Sequence, residues 1–180
     1  MLFSNKIILG YHKVGKDGIP VLEDQIRTLN ALGYRIVPLN QVFSTEQPTA
    51  VLTFDDGYRD FILNVFPLLR EHNIPATLFV ITDTIDKAEP LNKNTVSSTD
   101  TDESDLPLTA EQIKTLSGNG IEIGGHTHRH SRLTELSETE ALEELATSNN
   151  IIRKITGTAP FSFCYPHGFF NRLCWNYLEK

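Results

Sequence analysis

Residues 50–57, Ala50-Val51-Leu52-Thr53-Phe54-Asp55-Asp56-Gly57, decide the fold. An apolar run ends abruptly in two carboxylates and a glycine, which is how a strand closes on a turn. The chain then changes period: Phe61, Ile62, Val65, Phe66 and Leu69 cover a wide helical face between Tyr58 and His72, and Pro67 is expected to kink it. Working outward, Lys6 to Tyr11 reads as a buried strand. Pro20 then opens a helix whose Leu22, Ile26 and Leu29 form an apolar stripe until Gly33 stops it, and Tyr34 to Val37 reads as a short strand. Downstream, Ala76 to Ile81 is a strand, Thr109 with Gln112 is a capping box that opens a helix, and Ile121 to Ile123 is a strand. Ser137 with Glu140 opens a helix that carries Leu142, Leu145 and Ile152 to a stop at Gly157. Phe161 to Cys164 is read as a sixth strand and Phe170 to Lys180 as a helical stub. This alternation predicts an α/β fold with about six parallel strands, open or barrelled.

Composition narrows what such a chain can bind. Its 180 residues and 39% hydrophobic content suffice for one core, so a single domain spanning 1–180 is expected. The formal net charge of -7 leaves no footprint for nucleic acid or anionic lipid, and a neutral or cationic ligand suits it better. No stretch reaches the roughly 20 apolar residues of a membrane span. Met1 to Gly10 lacks the parts of a signal peptide, so the chain is expected to be cytoplasmic, or extracytoplasmic after removal of a leader. Cys164 and Cys174 are too few for a disulfide framework and do not decide the redox compartment. Thr82 to Leu108 breaks the alternation: rich in Thr, Asp, Ser and Asn, with seven acidic residues against Lys87 and Lys93, it is expected to be a flexible insertion.

Polar clusters collect where the strands end. His12, the Asp55-Asp56 pair, His126 to His130, and Tyr165 to Gly168 follow four different strands, and in parallel βα architectures the loops at those ends converge on one face. Asp-Gly pairs also end strands for backbone reasons alone, and a histidine-rich loop is often only a solvated one. Taken together, though, Asp56 with His126 and His130 makes a two-histidine, one-carboxylate set that leaves coordination positions open for water and substrate. Asp55 remains free beside it as a base. His128 has odd spacing from both partners and is expected at the surface. His72, near a helix end, has a structural reading. His12 is either a satisfied core residue or a general acid. There is no GxSxG elbow and no Walker loop, which argues against serine and nucleotide hydrolases.

With these residues assembled, the chain resembles the polysaccharide deacetylase (NodB-homology) family along nearly its whole length. The resemblance rests on Thr53-Phe54-Asp55-Asp56-Gly57, on the His126-Thr127-x-x-His130 pattern, on the run from Phe161 to Gly168, and on Gly10 to Val14, whose Tyr11-His12 pair marks a branch with permuted motifs. It implies a distorted (β/α) barrel and a metal-dependent hydrolase that removes N-acetyl groups from a glucosamine-containing polysaccharide or glycoconjugate. By the resemblance Asp55 is the general base, Asp56, His126 and His130 hold one divalent metal ion, the His167 backbone N–H stabilises the oxyanion, and His12 protonates the leaving amine. Zinc is the first expectation for the metal; cobalt, nickel and iron suit the same donors.

Two positions depart from the family pattern. Cys164 stands where many members carry an arginine that orients the catalytic aspartate, and His167 replaces the usual aromatic. The orientation of Asp55 is then unaccounted for, and the orienting group is expected on a missing last strand; Arg59 or Arg129 would have to position Asp55 only if the 180-residue chain proved a stable monomer of full activity. Six strands against the family's seven or eight units imply an incomplete, C-terminally truncated barrel of low activity, open beside the sixth strand and prone to self-association. The alternatives are an O-acetyl ester deacetylase acting on a carbohydrate, or a weakly active carbohydrate-binding relative.

Overall fold

A computed structural model describes residues 5–44, 46–91, 102–172 and 175. Five parallel strands form one sheet: β1 (Lys6–Tyr11), β2 (Arg35–Ile36), β3 (Thr49–Phe54), β4 (Thr77–Val80) and β5 (Glu122–Gly125). They run in the order β1-β3-β4-β5, with β2 also paired to β3. Every residue of β3 is buried, as expected for a central strand covered on both faces. Among the described residues three α-helices lie between strands, α1 (Gly15–Ala31), α2 (Phe66–Glu71) and α3 (Ala110–Gly118), and a fourth, α4 (Glu138–Thr156), follows β5. Leu22 and Ile26 of α1, Phe61, Val65 and Leu69 around α2, and Ile113 and Leu116 of α3 pack with Leu52, Leu78 and Ile123 into the main core.

Both capping boxes form, Thr109 with Gln112 at α3 and Ser137 with Glu140 at α4, and α4 stops at Gly157 in the left-handed conformation. The expected kink before Pro67 is a π-turn over Phe61–Val65 that runs into α2. The wider turn relieves the clash that a proline ring makes with the carbonyl four residues earlier.

Three expectations are corrected. First, α1 starts at Gly15 and holds Pro20 inside it. Its first turn is capped from another element: the buried Asp60 carboxylate accepts hydrogen bonds from the backbone N–H groups of Val14 (2.8 Å) and Gly15 (3.0 Å). Second, the sixth strand reduces to one parallel bridge between Gly125 and Phe163. The ladder ends there because β5 itself ends, passing at Thr127 into a left-handed residue.

Third, both described ends of the insertion pack on the body. Leu108 is a core residue, and its N–H donates to the Gly57 carbonyl at 3.0 Å. Arg59 donates from its backbone to Leu106, and Asp83 to the His128 carbonyl. Lys13 pairs with Asp105 and Arg59 with Glu103. What remains of the flexible reading falls on residues 92–101, outside the described residues. Cys174 and most of the stub expected over Phe170 to Lys180 also lie outside them. Among the described residues β1 pairs only with β3, so the barrel is not closed, and no helix is long and apolar enough to cross a membrane.

Candidate metal centre

Asp55 leaves β3 still on the ladder, its N–H donating to the Tyr11 carbonyl at 2.8 Å. Asp56 and Gly57 then take φ of 71° and 80°, a left-handed pair that swings the second carboxylate away from the first. A side chain at Gly57 would also press on Val80, whose Cγ1 is 3.2 Å from the place a Cβ would occupy. This is the local reason that neighbouring aspartates face different partners.

From β5, the His126 N–H donates to the Val80 carbonyl (3.2 Å), which carries the almost fully buried imidazole to the strand ends. Its Nδ1 bonds the Cys164 carbonyl at 2.8 Å. A carbonyl can only accept, so Nδ1 carries the proton and Nε2 keeps its lone pair. His130 comes back through a loop in which Thr127 and His130 both have positive φ. The two Nε2 atoms lie 3.2 Å apart, and each is 3.4 Å from Asp56 Oδ1.

That carboxylate oxygen is buried without a hydrogen-bond partner. With the His130 proton on Nδ1, three lone pairs turn on one point and suit a cation, and the three donor atoms lie close enough together to hold one ion. Burial above all, with His126 close beside it, pushes His130 down to about 4, so its imidazole is neutral at pH 7, as a ligand must be. Burial raises the Asp56 carboxyl, but His126, His130 and His12 outweigh it and hold it below its ordinary value.

Asp55 points elsewhere. Burial pushes its carboxyl up, against the opposing influence of His126 and His12, so it is a better proton acceptor than an exposed aspartate. The Cys164 thiol donates to its Oδ2 at 3.6 Å. Burial, with Asp55 beside it, pushes that thiol up to about 12, which keeps it a neutral donor. Asp55, His126 and Cys164 also present donor atoms to one another, but an ion held there would first have to deprotonate this buried thiol. The Asp56–His126–His130 set needs no such step.

The other expected site residues are near. His12 is exposed at the end of β1, within electrostatic reach of Asp55, Asp56 and His130. The His167 ring lies 4.6 Å, centroid to centroid, from that of His130. The arginines are elsewhere: Arg59 bonds Glu103 and the Pro107 carbonyl, and Arg129 bonds Glu144, so neither reaches Asp55. His128 lies outside the Asp56–His126–His130 cluster, half-buried, with its Nδ1 3.1 Å from Thr82 Oγ1. Sequence reasoning marked Cys164 as a missing arginine and overlooked that a thiol can donate in its place. It gave no sign of Asp60 or Glu144, whose partners are loops far along the chain.

Asp56, His126 and His130, with Asp55 beside them at the carboxyl ends of parallel strands, are a donor set that could hold one divalent ion. The chain belongs to the polysaccharide deacetylase family, whose profile matches residues 44–180. His12 lies outside that match. The chain is 25% identical over 185 residues to YxkH of Bacillus subtilis (strain 168), covering 96% of this chain and 60% of that one. It is 26% identical over 127 residues to the peptidoglycan-N-acetylglucosamine deacetylase of Bacillus cereus, covering 69% of this chain and 38% of the relative. Among solved structures, IcaB from Ammonifex degensii superposes with a TM-score of 0.81 at 21% identity, covering 97% of this chain and 79% of that one. The chain thus spans less than two thirds of the length of each of these two sequence relatives.

Proposed function

We propose that this chain is a metal-dependent hydrolase that removes N-acetyl groups from a glucosamine-containing polysaccharide or glycoconjugate. One observation carries the reading: the Asp56, His126 and His130 donors converge on a point beside a separate carboxylate, Asp55, whose basicity is raised. A bound divalent ion, zinc in the first instance, supplies Lewis-acid polarisation of the acetyl carbonyl and of water.

The chain's own groups do the rest. Asp55 Oδ1 is buried without a partner while Oδ2 receives the Cys164 thiol, so Oδ1 is the atom that takes the proton from the attacking water. Water oxygen bonds the carbonyl carbon, and the His167 backbone N–H is the donor we assign to the oxyanion that forms. His12 gives its proton to the amide nitrogen as the C–N bond breaks, which leaves acetate and a free amine.

The test is acetate release from chitin-type oligosaccharides, with and without a chelator, run beside an O-acetylated xylan. Release from the N-acetyl substrate that chelation abolishes is the expected result. Release from the O-acetyl substrate alone would replace the reading with ester hydrolysis, and none from either would leave a carbohydrate-binding relative.

A further inference from the structure

The loop that delivers the second histidine is held in a conformation it would not choose. Thr127 and His130 both sit in the left-handed region, at φ of 62° and 60°, where side chains other than glycine are strained. Such a turn persists only when its surroundings over-determine it. Some of the holding bonds are local or come from the end of β4: Ser131 N–H donates to Thr127 Oγ1, and Asp83 N–H to the His128 carbonyl.

One comes from behind. Glu144 on α4 has a side chain only 4% exposed, and its Oε2 accepts the Arg129 backbone N–H at 2.7 Å. Its Oε1 takes the Arg129 guanidinium at 3.1 Å. A carboxylate that deep is costly to bury without partners. Both of its partners belong to the residue directly before His130. The Arg129 side chain is 67% exposed, so its ion pair is screened by water and the short bond to the peptide N–H is the one that fixes geometry.

We infer that Glu144 is a positioning residue for the metal centre: through the Arg129 peptide it fixes the left-handed turn that aims His130 Nε2 at His126 and Asp56. The inference rests on the proposed ligand set and adds a residue that touches neither ion nor substrate. Outer partners of metal ligands are worth about 10–100-fold in affinity, and Glu144 is placed to act in that way on the loop rather than on a ring.

Reach and charge can be separated. Glu144→Gln removes the charge and keeps a carbonyl oxygen at the same length; Glu144→Asp keeps the charge and withdraws the oxygen by one methylene. Cobalt(II) titration of the chelator-treated protein reads affinity, and the visible absorption of the bound ion reads the arrangement of its ligands. Circular dichroism and thermal melting check that the variants are folded.

The expected order is the parent protein close to Glu144→Gln, within about threefold, with Glu144→Asp weaker by about 10-fold or more and its spectrum altered. Arg129→Ala, which leaves the peptide N–H in place, should stay within about threefold of the parent. If Glu144→Asp binds cobalt with the parental affinity and spectrum, or if Arg129→Ala loses as much as Glu144→Asp, the inference is overturned. Failure of the ligand assignment looks different: the parent itself would not bind one equivalent of cobalt, or His126→Ala would bind it as well as the parent.

Discussion

Asp55 and Asp56 are neighbours whose carboxyls are shifted in opposite directions. Burial wins at the first and raises its carboxyl, while His126, His130 and His12 together win at the second and lower it. Asp55→Asn keeps shape and removes the proton acceptor, so it should retain metal by elemental analysis and lose about 100-fold or more in turnover. Parental turnover in that variant would show that Asp55 is not the base. Cys164→Ala should give a smaller loss, about 10-fold, because a thiol is a weak donor, again with metal content unchanged; a rate equal to the parent would mean that the thiol does not orient Asp55. The pair of carboxylates and the two histidines were legible because their spacing and their strand-end positions are properties of the chain alone. The thiol contact was not, since only the fold brings Cys164 to within 3.6 Å of Asp55.

At the scale of elements, legibility followed the range of the interaction. The boxes at α3 and α4 close between residues three apart, so their starting points could be read directly. The start of α1 could not, because its cap is Asp60, which lies past β3 and binds the loop after His12 to the loop after Asp56. The segment Thr82 to Leu108 misled for a related reason. Its acidic, polar composition conceals one apolar residue that matters, Leu108, which is 1% exposed within the main core. Leu108→Ala should therefore destabilise the protein by about 2–5 kcal/mol in a denaturant titration, as core truncations do. A change under about 0.5 kcal/mol, typical of a surface site, would restore the reading of the segment's end as a loose insertion.

For the whole molecule, two consequences differ in kind. The first concerns β1, which pairs on one side only among the described residues and leaves Ile8 54% exposed. An open, apolar strand edge favours pairing between copies. Sedimentation should show self-association that rises with concentration and weakens in Ile8→Lys, and a single monomeric mass at every concentration would contradict this. The second concerns the segment between β4 and α3. Its described ends bond to the loops after β1, β3 and β5 through Lys13–Asp105, Arg59–Leu106 and Asp83–His128. Those bonds are made by protein to protein, so the scaffold itself holds the loops that carry Asp56, His126 and His130. Chelation should then behave as ligand release and not as denaturation. Amide hydrogen exchange in β3 to β5 should stay slow in the stripped protein, and activity should return on adding metal within the mixing time, with no refolding lag. Widespread loss of amide protection on chelation would show instead that the ion is a folding cofactor.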